Sequence, residues 1–124
     1  MNRYRIYVSG PIGGRDEKES REAFRRMCET LEGLGCEAAN PWDLAEKAEG
    51  KRWADYVIND LWALRDCDGL MLMKGWEGSM GCHVELDFAL GIGIPIFHEW
   101  DAEGRLRQEW MRRRLAKPRE EENV

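Results

Sequence analysis

Glu85 is the most informative side chain of this 124-residue sequence for acid–base or nucleophilic chemistry, and Asp60 is one carboxyl group that could share that work. From Ser79 to Phe97 the chain is almost entirely apolar or glycine, and its two carboxylates there are Glu85 and Asp87. A helix in that stretch needs neither for solubility. At about 100° per residue Glu85 shares a face with Gly81, Phe88 and Ile92, while Asp87 is turned about 200° away. With that face toward a cleft, Glu85 lies near the first helical turn and points at a ligand; read blandly, it is an exposed helical glutamate. Asp60, in Asn59-Asp60-Leu61, sits between Ile58 and Leu61 on another expected helix. Carboxyl groups from two helices offer the division of labour that a glycosidic bond requires: one attacks or stabilises the anomeric carbon, the other moves a proton. Asp66 and Asp68 are equally available for the second role.

The run Ser9-Gly10-Pro11-Ile12-Gly13-Gly14-Arg15 joins an expected strand to an expected helix. It offers backbone amides, a helix N-terminus and a guanidinium, all suited to a phosphate, although a plain tight turn fits it as well. Ser79-Met80-Gly81 opens a helix in a similar way, with Ser79 as an N-cap or a second phosphate donor. Asn40, at the head of the connection 40–52, is counted with these substrate-binding candidates. Trp76, in Lys74-Gly75-Trp76-Glu77, can stack on a base or pack on its own domain.

The elements that carry these residues alternate. Residues 4–9 read as a strand ending at Gly10-Pro11, and Asp16–Leu34 as a helix with Ala23, Phe24, Met27, Leu31 and Leu34 at helical spacing and Gly35 just beyond its end. Cys36–Ala39 is a second strand, 42–52 an irregular connection flanking the cleft, and Trp53–Arg65 a helix. Gly69–Met73 is continuously apolar, as a central parallel strand covered on both faces should be. A loop 74–80, a helix 81–90 and an edge strand 94–97 containing Pro95 follow. This order implies a flavodoxin-like or Rossmann-like α/β three-layer sandwich with a four- or five-stranded parallel sheet and ligands beyond the carboxyl ends of the strands. Residues 1–98 form the expected catalytic domain. Residues 99–124 form a helical tail, expected to contact another subunit because Trp100 and Trp110 lie past the last strand.

Composition narrows the functions. With 19 basic against 24 acidic residues, a net charge of −5 gives no electrostatic reason to expect nucleic acid or an anionic membrane as partner. No apolar run approaches the roughly eighteen residues that span a bilayer, and no apolar leader opens the sequence, so a cytoplasmic protein is expected. Cys28, Cys36, Cys67 and Cys82 show no C-x-x-C spacing and are expected to be reduced and buried. Beside them His83 and His98 have no recognised ligand spacing, so neither a metal nor any other cofactor is expected.

In order and spacing, Tyr7-Val8-Ser9-Gly10-Pro11-Ile12, Asn59-Asp60-Leu61 and Gly78-Ser79-Met80-Gly81-Cys82-His83-Val84-Glu85-Leu86 resemble the nucleoside 2-deoxyribosyltransferase superfamily, including its 2′-deoxynucleoside 5′-phosphate N-hydrolases. The resemblance spans roughly residues 4–97. It implies Glu85 as nucleophile toward C1′ or stabiliser of an oxocarbenium-like state, Asp60 as the group assisting the leaving base, and Tyr7 as the residue orienting Glu85. Ser79 and Gly13-Gly14-Arg15 match the phosphate-holding residues of the hydrolase branch. The transferases complete their site with a residue from a neighbouring subunit, to which 98–124 shows no match. The expected activity is therefore cleavage of the N-glycosidic bond of a nucleoside 5′-monophosphate in a homodimer or larger homo-oligomer, with hydrolysis favoured over transfer because a short chain leaves its pocket open to water. The alternatives are an NAD glycohydrolase and a nucleotide or NAD-derivative sensor without turnover.

Overall fold

Strand β1 (Arg5–Ser9) sorts its side chains by alternation. Ile6 and Val8 enter one apolar cluster, whereas Tyr7 enters a second on the opposite face of the sheet. The computed structural model describes residues 3–12, 16–45 and 52–115. Around β1 lie β2 (Glu37–Ala39), β3 (Gly69–Leu72) and β4 (Ile96–His98). All pairings are parallel, in the order β2-β1-β3-β4. This is the expected flavodoxin-like or Rossmann-like α/β arrangement, with four strands.

Helices cover both faces. Helix α1 (Glu17–Gly33) supplies Phe24, Met27, Cys28 and Leu31 to the first cluster, joined by Leu106 of α5 (Ala102–Leu115). Helix α3 (Trp53–Arg65) supplies Leu64, and α4 (Met80–Ile92) supplies Ala89, to the second. The expected ends of α1 hold physically. The Asp16 carboxylate accepts the Glu19 N–H at 3.0 Å, and Gly35 takes the left-handed φ of 88° that ends the helix. Strand β3 is buried along its whole length, as its unbroken apolar run requires. Gly69 is needed there because a β-carbon would stand 2.8 Å from the Phe97 ring and 3.0 Å from Ile6.

Three expectations need correction. The connection expected to be irregular over 42–52 begins with a short helix, α2 (Pro41–Ala45), while 46–51 lie outside the described residues. Asn40 starts α2, its side-chain oxygen accepting the Trp42 N–H at 3.0 Å. The loop expected at 74–80 contains a 3-10 turn, Trp76–Gly78, entered through Gly75 at φ 92°. Finally, α4 buries Cys82, Glu85 and Ala89, while Ile92 is 40% exposed, so its inward face is rotated from the one expected. Among the described residues no helix is long and apolar enough to cross a membrane.

Candidate active site

At the carboxyl end of β1, Tyr7 and Ser9 point toward α4, and Glu85 comes down to meet them. The Tyr7 hydroxyl donates to Glu85 Oε2 at 2.6 Å, and the Ser9 hydroxyl donates to Glu85 Oε1 at 2.7 Å. Glu85 is 6% exposed, and both of its donors are fully buried. A carboxylate in such a place would be strongly destabilised without hydrogen bonds. Burial raises the Glu85 carboxyl above its ordinary range, and the bonds from Tyr7 and Ser9 oppose that rise by favouring the anion.

Asp60 of α3 stands in the field of the same group. Burial first, and then the charge of Glu85, push its carboxyl up to about 7, against a smaller lowering from Tyr7. Tyr7 thus lies between two carboxyl groups, and burial followed by the charges of Glu85 and Asp60 drives its phenol well above the ordinary tyrosine range. It stays protonated and acts as a donor. The structure therefore brings Tyr7, Ser9, Asp60 and Glu85 together from β1, α3 and α4. It separates the rival carboxylates: Asp66 caps the end of α3, and Asp68 accepts the Arg5 N–H at the opposite end of the sheet.

The other candidates divide. Gly10 is buried, and a β-carbon there would meet the Met73 sulfur at 2.8 Å and Phe24 at 3.1 Å, so its small size is a packing requirement. Pro11 and Ile12 are half-buried, with Ile12 packed on the first cluster. Gly13, Gly14 and Arg15 lie outside the described residues. Ser79 caps α4, its hydroxyl accepting the Cys82 N–H at 3.3 Å, and Gly81 occupies the first turn. Asn40 is engaged in capping α2.

Trp76 packs among its own side chains: its ring lies 5.2 Å from that of His83 and 6.2 Å from that of His98. His98 in turn stacks on Trp100 at 5.7 Å, and this aromatic group borders a cavity of about 550 Å³ lined also by Leu72 and Glu99. Glu85 does not line that cavity. Burial raises the thiols of all four cysteines, as suits inert packing residues. Cys82 turns inward and His83 outward, so these neighbours do not converge on one ligand.

Sequence reasoning placed Ser9 with the ligand loop and missed its bond to Glu85. The signal was its two-residue spacing from Tyr7, which puts both on one face of a strand.

The family model described as a domain of unknown function, DUF4406, matches residues 4–98. Among solved structures the chain is similar to "2-desoxiribosyltransferase from Leishmania mexicana", with a TM-score of 0.57 and 18% sequence identity over 76% of this chain. At that identity the likeness is one of fold. The chain spans 62% of the length of that protein. No curated protein matches it.

Proposed function

Since the chain belongs to the DUF4406 family, a domain of unknown function, we propose from its site that it cleaves the N-glycosidic bond of a nucleoside 5′-monophosphate. The observation that carries this reading is the unequal carboxyl pair. Glu85 is buried under two hydroxyl donors that favour its anion, and beside it Asp60 is held protonated up to about pH 7. Pairs whose environments push their titrations apart are suited to act as base or nucleophile and acid. The fold shared with a 2-desoxiribosyltransferase, together with the three sequence blocks, supports chemistry at a nucleoside's glycosidic bond in general.

In the proposed reaction a Glu85 oxygen bonds to C1′ while the C1′–N bond breaks, and Asp60 passes its proton to the departing base. Water then adds at C1′, giving its proton to Asp60, and the C1′–O bond to Glu85 breaks. Both groups return to their starting states. The decisive test incubates the protein with ribo- and deoxyribonucleoside monophosphates and NAD, with and without a second base, and separates the products by chromatography. Free base from a monophosphate supports the proposal, exchange of bases identifies transfer, and nicotinamide identifies NAD cleavage. Binding without any release refutes turnover.

We assign recognition of the 5′-phosphate to Arg15, Ser79 and the amides of the loop around Gly13 and Gly14, and count Asn40 and Trp76 among the other substrate-binding residues. Arg15→Ala is expected to weaken monophosphate binding by about 1.5–3 kcal/mol, the range for a hydrogen bond to a charged group. The matching nucleoside should bind almost unchanged in calorimetry. Equal losses for the two ligands would remove phosphate recognition from this reading.

We also propose a homodimer that shields the site. Ile58 and Trp62 are 55% and 60% exposed beside one apolar groove lined also by Leu61 and Phe88, and Trp100 is 81% exposed, apolar surface that a second copy could cover. Sedimentation at micromolar protein should show at least a dimer, and Trp100→Asp should weaken it. A wild-type monomer with full turnover would contradict the shared arrangement.

A further inference from the structure

We propose that Ser9 is a second positioning residue for Glu85, fixing one carboxylate oxygen while Tyr7 fixes the other. This rests on the reading of Glu85 as the attacking group. Residues two apart on a strand share a face and lie roughly 7 Å apart, so Tyr7 and Ser9 stand in line beneath α4. The serine hydroxyl is only one bond beyond its β-carbon, and Glu85 must lie almost directly over it to accept at 2.7 Å. The longer phenol of Tyr7 covers the remaining distance along the strand and reaches the second oxygen at 2.6 Å. Both lengths fall within the range for a hydroxyl donating to a charged oxygen.

One donor would not hold this group. The terminal torsion of a glutamate is broad and roughly two-fold, so a carboxylate anchored through one oxygen can still rock about its last bond. A donor on each oxygen removes that freedom and sets which lone pairs remain for C1′. Ser9 is fully buried and Cys82, 1% exposed, lies close behind it, so no solvent molecule has ready access to replace the hydroxyl.

The two variants that decide are Ser9→Ala, which removes the donor, and Ser9→Thr, which keeps it. Glu85 is followed through its 13C-labelled carboxyl carbon by NMR, independently of any substrate. Because the Ser9 bond favours the anion, its loss should move the Glu85 titration upward, and Ser9→Thr should restore it. Base release at neutral pH should fall about tenfold to a hundredfold in kcat, the size of one hydrogen bond to a charged group, with KM little changed. The acid limb of the pH–rate profile should move up with the titration. An unmoved titration in folded Ser9→Ala overturns the proposal, as does a moved titration with unchanged kcat. If wild-type protein releases no base, the functional reading fails, yet the titration still decides whether Ser9 holds Glu85. Should Ser9→Ala not fold, Ser9→Cys, whose thiol is a weak donor, is titrated with the same expectation.

Discussion

Glu85→Gln should reduce base release by about 10⁴-fold or more, because the amide cannot form the bond to C1′ and leaves no anion to balance a developing positive charge. The fold should survive. Glutamine matches the shape of glutamate, and the Tyr7 and Ser9 hydroxyls can turn so that one donates to the amide oxygen while the other accepts from its nitrogen. Stability gives an independent readout with a definite sign. Glu85 and Asp60 both have folded-state carboxyls raised above their ordinary values, so the stability each contributes is present in acid and is lost as pH rises. For Asp60 the loss runs from about pH 4 through about 7. Removing the charge of Glu85 also removes the second cause of the Asp60 shift, which should let Asp60 titrate lower. Glu85→Gln should therefore melt higher than wild type at pH 8, with the difference shrinking toward pH 4. Calorimetric melting at both values checks this, and a variant retaining a tenth of wild-type turnover would dismiss Glu85 as nucleophile.

Asp60→Asn should cost about 10²- to 10⁴-fold in turnover, the usual contribution of a positioned proton donor. The pH dependence is the more specific signature. With its carboxyl raised to about 7, Asp60 is neutral and able to donate below that value, and wild-type turnover should fall as pH rises through it. Asparagine does not titrate, so this basic limb should vanish from the variant. Substrates whose base leaves readily without protonation should lose much less. If the basic limb persists unchanged in Asp60→Asn, another group supplies the proton.

Much of the fold was legible because local and long-range signals agreed. The run from Gly69 reads as buried strand and is buried; Asp16 and Gly35 read as helix ends and lie at them. Helix α3 occupies Trp53–Arg65 as its spacing predicts. Agreement stopped where a single long-range contact decided. Five residues starting at Pro41 are too few for a helical period to show, and α2 is fixed by the Asn40 cap and by Asn59, whose side chain donates to the Leu44 carbonyl at 2.9 Å. The face of α4 was misjudged because its residues are apolar nearly all round, so no polar stripe marks the outside. Ser9 was assigned to a loop ligand since its partner is 76 residues away, and nothing local announces a bond of that reach. The pairing of Tyr7 with Glu85 is legible only through the family resemblance.

The placement of α5 separates the unit of descent from the unit of folding. The family match stops at residue 98, whereas Leu106, eight residues further on, is 2% exposed within the cluster beneath α1, and Arg105 donates to the Ile96 carbonyl of β4. Burial of one leucine is worth about 1.5–3 kcal/mol, a sizeable share of what holds a small domain together. A gene fragment cut at the family boundary would encode the proposed catalytic side chains and still yield a poorly soluble product, with the lower face of its sheet laid bare around Phe97.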